Sequence, residues 1–295
     1  MKIRTFHKRI SPYFSAYTLE KTPVILLTHK KRFSILIISC ITAFLILSLS
    51  CFGYHRKNAF QIFCKNLFME EISSDTLGLH YTVAYPEKLG INQAKASLPL
   101  YQKENALESY KNIRDYCSML ESFNPQDLSI DERYTQHLLI SSLSEELEGR
   151  QFFYLQEMFS PSSGIQIQYP ILMAEYAFRC KEDIENYLEL IRLTPSYFES
   201  YCDFTNEKIK RGFCMADFSL EKVITQCNTI ITAKEIEDNS HFLITTFNER
   251  IQQAASDKII SKEEAAHYIS VNKEYLSSFL LPAYKSLAQN MATYL

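Results

Sequence analysis

EDIENYLELIRLTPSYFESYCDFTNEKIKRGFCMADFSLEKVITQCNTII, residues 182–231, decides the fold. Ile184, Tyr187, Leu188 and Ile191 fall at i, i+3, i+4 and i+7, which is one face of an α-helix. Thr194-Pro195 predicts the start of a second helix, with proline at its first position, and Gly212 its end. Leu220, Val223, Ile224, Cys227, Ile230 and Ile231 form a third apolar stripe at helical spacing.

The same reading extends in both directions. Towards the C-terminus, Ser240 predicts a cap for a helix through Ile251, and Ser261-Lys-Glu-Glu264 is a capping box opening a last helix. That helix runs to Leu295, with Pro282 expected to kink it near Ser278. Towards the N-terminus, residues 104–121 read as a helix, and Asp127 or Ser129 opens another that ends at Gly149, a favoured residue just past a C-cap. Residues 55–75 read as a juxtamembrane helix with Phe60, Phe63, Leu67 and Phe68 on one side.

Two stretches break the helical period. Residues 77–86, LGLHYTVAYP, are rich in β-formers and read as extended. In residues 159–170, FSPSSGIQIQYP, turn residues precede Ile165, Ile167 and Tyr169, which alternate with Gln166 and Gln168. This pattern predicts a loop or edge strand, and the stretch holding Ser163, Gly164 and Gln166 is the best candidate for a functional loop. The fold class expected is all-α, a multi-helix domain with at most one or two short strands.

Composition agrees. The chain has six glycines in 295 residues, where average usage would give about twenty, so tight hairpin turns must be few. Residues 1–32 hold eight Lys and Arg against Glu20, a net +7, which leaves −10 of the total −3 for the remainder. So acidic a body argues against nucleic acid as a partner, because phosphate binding needs a cationic face.

Residues 33–53, FSILIISCITAFLILSLSCFG, carry no charge and are long enough to span a bilayer. Lys30-Lys31-Arg32 precedes them, so the positive-inside rule puts residues 1–32 in the cytoplasm and 55–295 outside. The segment reads as a transmembrane helix of a membrane-anchored chain. A start near Leu26 or Leu27 would make it a signal sequence instead. Cys51 is a candidate for lipid attachment: Ser50 supplies the small residue before it, but Ser48 stands where a leucine is usual.

Catalytic signatures are missing from the sequence. The seven histidines contain no H-E-x-x-H and no pair four apart, so local spacing supports no zinc site. His80 and His137 read as structural. No P-loop, G-x-S-x-G or G-x-G-x-x-G occurs. Six cysteines lie beyond the apolar segment without a C-x-x-C, and their pairing stays open. Lys208, Lys210 and Arg211 read as charge compensation at a helix C-terminus, with an anion site as the alternative. Glu182, Asp183, Glu185 and Glu189 read as a solvated helix face.

Residues 59–91, AFQIFCKNLFMEEISSDTLGLHYTVAYPEKLGI, resemble the N-terminal signature of the bacterial family called domain of unknown function 885. The segments at 163–166, 182–191, 194–201, 207–217, 243–251 and 281–289 extend the resemblance in order. It implies a helical, secreted or lipid-anchored protein similar to zinc metallopeptidases. The family's H-E-x-x-P-G-H motif belongs to a C-terminal half with no counterpart in this sequence, so no catalytic or metal-binding residue carries over. Zinc is expected only for a full-length relative. The chain ends inside a helical stripe, at MATYL, which suggests a truncated ectodomain. Three partners are expected on this reading: the membrane, a C-terminal half, or a second copy through the last helix.

Overall fold

A computed structural model describes residues 58–91 and 95–295, and every element in them is helical. The apolar segment 33–53 and Cys51 lie outside the described residues. Among those described, no helix is long and apolar enough to cross a membrane.

The axis of the fold is α6, Lys181–Lys210, a 30-residue helix about 45 Å long at 1.5 Å per residue. It buries Ile184, Tyr187, Leu188, Leu190, Ile191, Phe198 and Cys202. Around it pack α5 (Ile165–Glu175), α7 (Asp217–Thr229), α9 (Phe242–Ser256), α10 (Lys262–Tyr275) and α11 (Leu281–Ala292). Their inward faces share one core, with Met173, Val223, Phe247, Ile251, Tyr284, Leu287 and Met291 at its centre. A short α8, Ala233–Glu237, follows α7 and is closed by a capping box between Thr232 and Glu235.

A second layer precedes this body. It consists of α1 (58–72), α3 (Lys103–Ser122) and α4 (Ile130–Gly149). Phe60, Ile113, Cys117 and Leu120 are buried here but belong to no part of the main core. Of the two openings offered by the sequence, Asp127 and Ser129, the structure uses Ser129, which forms a capping box with Glu132. Yet α4 buries a single residue, Gln136, whose side-chain amide donates to the carbonyls of Leu120 and Phe123 at the end of α3.

Several expectations are corrected. Residues 77–86 are not extended: α2, Thr76–Thr82, forms there because the Asp75 carboxylate accepts from the Gly78 N–H and caps it. Burial of Leu77, Leu79 and His80 outweighs the β-propensity of their neighbours. Residues 165–169 are not a strand but the first turns of α5, where Ile165 and Tyr169, four apart, share a helix face. Thr194-Pro195 starts no helix, since Pro195 lies inside α6. Gly149 has φ −63, so it is no left-handed cap, and the chain continues into a 3-10 turn, Arg150–Leu155. His241, not Ser240, caps α9.

The interruption expected at Pro282 takes a specific form. Leu276–Leu280 is a π-helical turn, and the Leu281 N–H bonds the Leu276 carbonyl five residues back. The wider turn accommodates a proline that has no N–H of its own to offer. Beyond it α11 is among the best-buried elements, with Leu281, Ala283, Tyr284, Leu287, Ala288 and Met291 all inside. The apolar stripe of this C-terminal region is packed within the chain: Tyr268 and Leu287 are buried, and Val271, Tyr275 and Phe279 are half-buried.

Candidate functional site

The turn holding Ser163, Gly164 and Gln166 is a lock between helices. The Gly164 N–H donates to the Ser160 carbonyl at 3.0 Å and the Ile165 N–H to that of Met158 at 2.9 Å. A Cβ on Gly164 would stand 2.1 Å from Gln166 Oε1 and 2.3 Å from the Ser160 nitrogen, so only glycine fits. Gln166, 1% exposed, donates through Nε2 to the Ser160 carbonyl (2.8 Å) and to Gln226 Oε1 (3.0 Å). Gln226 returns a bond from its own Nε2 to the Pro161 carbonyl at 2.9 Å. The three predicted residues do come together, but Gln166 is committed to joining α5 with α7, and only Ser163 among them is exposed.

A larger feature lies where α2 meets the start of α6. A cavity of about 630 Å³ has an apolar wall that includes Leu79, Val83 and Ile91, and a polar side with Arg179, Glu182 and Asn186. Its organiser is His80, which sequence reading took as structural. The ring lies 3.5 Å from that of Tyr176, parallel within 11°. Its Nε2 accepts from the Ala177 N–H at 3.1 Å, and its Nδ1 faces Asp183 Oδ1 at 3.4 Å. Asp183 Oδ2 also accepts from the Arg179 N–H at 2.8 Å. Burial alone would raise the Asp183 pKa, but the bonds from His80 and the Arg179 backbone, with their charges, hold the carboxyl below its usual range.

A second clamp holds the same linker from the other side. Arg250 of α9 donates from one guanidinium nitrogen to the Tyr176 carbonyl and lies 4.6 Å above the Phe178 ring and 5.2 Å from that of Tyr187. Burial lowers its pKa.

This chemistry is that of a support. A His–Asp pair can orient a general base only if the other ring nitrogen is free to take a proton. Here Nε2 is already occupied by a backbone N–H. The neighbouring thiol of Cys180 is pushed up to about 11, chiefly by burial, so it is protonated at neutral pH and a weak nucleophile.

Two residues of the basic helix end are engaged within the chain. Lys208, 2% exposed, pairs with Glu157 and donates to the Gln156 carbonyl at 2.8 Å. Arg211 donates to the Glu207 carbonyl at 2.8 Å and lies 4.1 Å over Tyr154. Lys210 is exposed. His241 uses both nitrogens, Nδ1 accepting from the Leu243 N–H and Nε2 facing the Ile230 carbonyl. Among the described residues no group of three or more His, Cys, Asp or Glu is placed to hold a metal ion, so they do not fit a zinc ion. The six described cysteines are free thiols.

A helical body with a stapled turn, a braced linker and one half-apolar cavity defines an all-α scaffold. Residues 85–295 match the family described as bacterial protein of unknown function (DUF885), and the chain belongs to that family. A solved structure with the same fold is titled "putative lipoprotein from Colwellia psychrerythraea": TM-score 0.62, 12% identity, covering 82% of this chain and 41% of that one. The chain therefore spans about two-fifths of that protein's length. No curated protein matches it.

Proposed function

We propose that this chain is the N-terminal scaffold half of a membrane-anchored, metallopeptidase-like surface protein, inactive alone. The observation that carries the reading is the coverage: 82% of this chain overlays only 41% of a longer chain of the same fold. The ligand chemistry is consistent with it, because the histidines of the described residues are dispersed, His80 divides its ring nitrogens between a backbone N–H and Asp183, and His241 has both on backbone groups. The anchor rests on residues 33–53 and Lys30-Lys31-Arg32, and the lipoprotein title of the similar structure favours an envelope location. On this reading the H-E-x-x-P-G-H residues come from a C-terminal half, which docks on the scaffold and supplies the zinc.

The alternative is a non-catalytic, membrane-tethered helical binding module. Its support is the half-apolar cavity at His80, which has the size of a ligand pocket and a histidine whose ring nitrogens are both occupied.

The test starts with the DNA downstream of codon 295. An H-E-x-x-P-G-H coding sequence is expected within several hundred codons, in frame or after a shift. Its product, co-expressed with this chain, is then assayed for bound zinc and peptide hydrolysis. Activity and one zinc per complex, with neither in this chain alone, are expected. One tightly bound zinc in this chain alone would sink the scaffold reading, and a downstream region without the motif would favour the binding module.

A further inference from the structure

The layer formed by α1, α3 and α4 contains a groove of about 600 Å³. Its floor is apolar: Leu67, Ile113, Leu139 and Leu143 line it, all but Ile113 half-exposed. Phe68 at its edge is 47% exposed. A 20-residue helix normally buries an apolar stripe, yet α4 buries only Gln136, so its Leu139 and Leu143 face a space that no described residue fills.

The rim has one sign. Glu70 and Glu71 of α1, Glu108 of α3 and Glu146 of α4 line the groove, and no Lys, Arg or His does. The carboxylates crowd one another: burial and then the charge of Glu71 raise the Glu146 pKa. Burial and then Glu70 push the Tyr116 hydroxyl up to about 12. An acidic rim over an apolar floor repels anions and leaves apolar ligands without head-group partners, whereas a cation on an apolar body satisfies both parts.

The geometry also sets the form of the occupant. The lining residues of α3 run from Asn105 to Tyr116, about 16 Å at 1.5 Å per residue, or three helical turns. No strand occurs among the described residues, so an extended peptide has no sheet edge to join. A helix laid along α3 would instead pack its apolar face between α1 and α4, as in other helix-in-groove complexes.

We propose that this groove binds a cationic amphipathic helix of about three turns, with Leu-type side chains on Leu67, Leu139 and Leu143 and Lys or Arg on Glu70, Glu71, Glu108 and Glu146. The site is separate from the turn at Gly164 and the clamp at His80, and it does not depend on the scaffold reading.

The test uses the full chain in zwitterionic nanodiscs and a fluorescent 14-residue Leu/Lys peptide, read by anisotropy, with empty discs as background. Saturable binding that weakens with added salt is expected. Glu71→Gln and Glu146→Gln, surface changes that leave the apolar packing intact, should each weaken it about three- to fivefold, as exposed charge pairs do. A Leu/Glu peptide should not bind. Binding no greater than to empty discs, or unchanged in both variants, overturns the proposal. Sedimentation showing a dimer that both variants dissociate would assign the groove to a second copy and overturn it equally.

Discussion

The Tyr284 hydroxyl donates a 2.7 Å hydrogen bond to the Gln166 carbonyl. Pro170, four residues after Gln166, has no N–H, so that carbonyl is the one α5 leaves without a helical donor. A tyrosine more than a hundred residues away thus completes the backbone of a proline-containing helix, and it does so where both residues are fully enclosed. Tyr284→Phe should cost about 1–3 kcal/mol, the penalty for a buried acceptor left unsatisfied. Pro170→Ala restores an N–H at the right place. In the Pro170→Ala background the cost of Tyr284→Phe should fall to under about 1 kcal/mol, a coupling that a double-mutant cycle in urea measures directly. Equal costs in both backgrounds would show that the hydroxyl serves something else.

Gly164→Ala tests the lock at the start of α5. The added methyl meets Gln166 Oε1 and the Ser160 backbone well inside contact distance. Its φ is −70, so the strain is steric and not conformational. A loss of about 1–3 kcal/mol is expected, typical of overpacking. Truncating the obstructing side chain in Gly164→Ala/Gln166→Ala should recover only part of it, because the Ser160 backbone remains in the way.

The His80–Asp183 pair gives the protein an acid-sensitive joint. The folded-state pKa of Asp183 is depressed, so its contribution is present above the unfolded carboxylate value of about 3.9. It is lost as the pH falls through the lower folded value. Chemical denaturation between about pH 5 and pH 3 should therefore show the parent losing stability more steeply than Asp183→Asn. Parallel slopes would mean that the carboxylate does not contribute in this way.

The π turn and Pro282 should be energetically linked. Deleting the exposed Ser278 turns Leu276–Leu280 into an ordinary α-turn and keeps Leu287 and Met291 facing the core. It also places Pro282 inside an unbroken α-helix, at a cost of about 3 kcal/mol. The same deletion in a Pro282→Ala background should be tolerated, with far-ultraviolet circular dichroism unchanged and thermal stability near that of Pro282→Ala alone.

The helices were legible wherever an apolar stripe met a cap. The stripes at Ile184–Ile191 and Leu220–Ile231 and the box at Ser261 appear in the structure where the sequence placed them, and of the two openings offered for α4 the structure uses Ser129. Misreadings occurred where two patterns share residues. Ile165 and Tyr169 lie two strand periods apart and also one helical turn apart, so the alternation does not discriminate between strand and helix. Pro195 was misplaced for a related reason. A proline inside a helix forfeits one backbone bond, here to the Ile191 carbonyl, and the burial of Ile191, Thr194, Tyr197 and Phe198 on either side carries α6 through it. Such tertiary burial leaves no local trace. The His80 cavity was hidden likewise, since Asp183 and Ala177 lie about a hundred positions from it in sequence. The turn at Ser163–Gln166 was found, but its commitment to Gln226 was not, because nothing in the spacing links positions 166 and 226.

The placement of α11 has a consequence for how the protein is made. α6 emerges from the ribosome some seventy residues before α11, and Phe198 and Cys202, which meet Tyr284 and Asn290 of that helix, have no complete shelter until then. At about 5–20 residues per second the interval lasts several seconds, long compared with the microseconds in which a helix forms. A growing chain in this state exposes a preformed, sticky rod. The protein therefore depends on whatever shields nascent or translocating chains, and its yield in a cell should respond more to chaperone supply than the stability of its finished core would suggest.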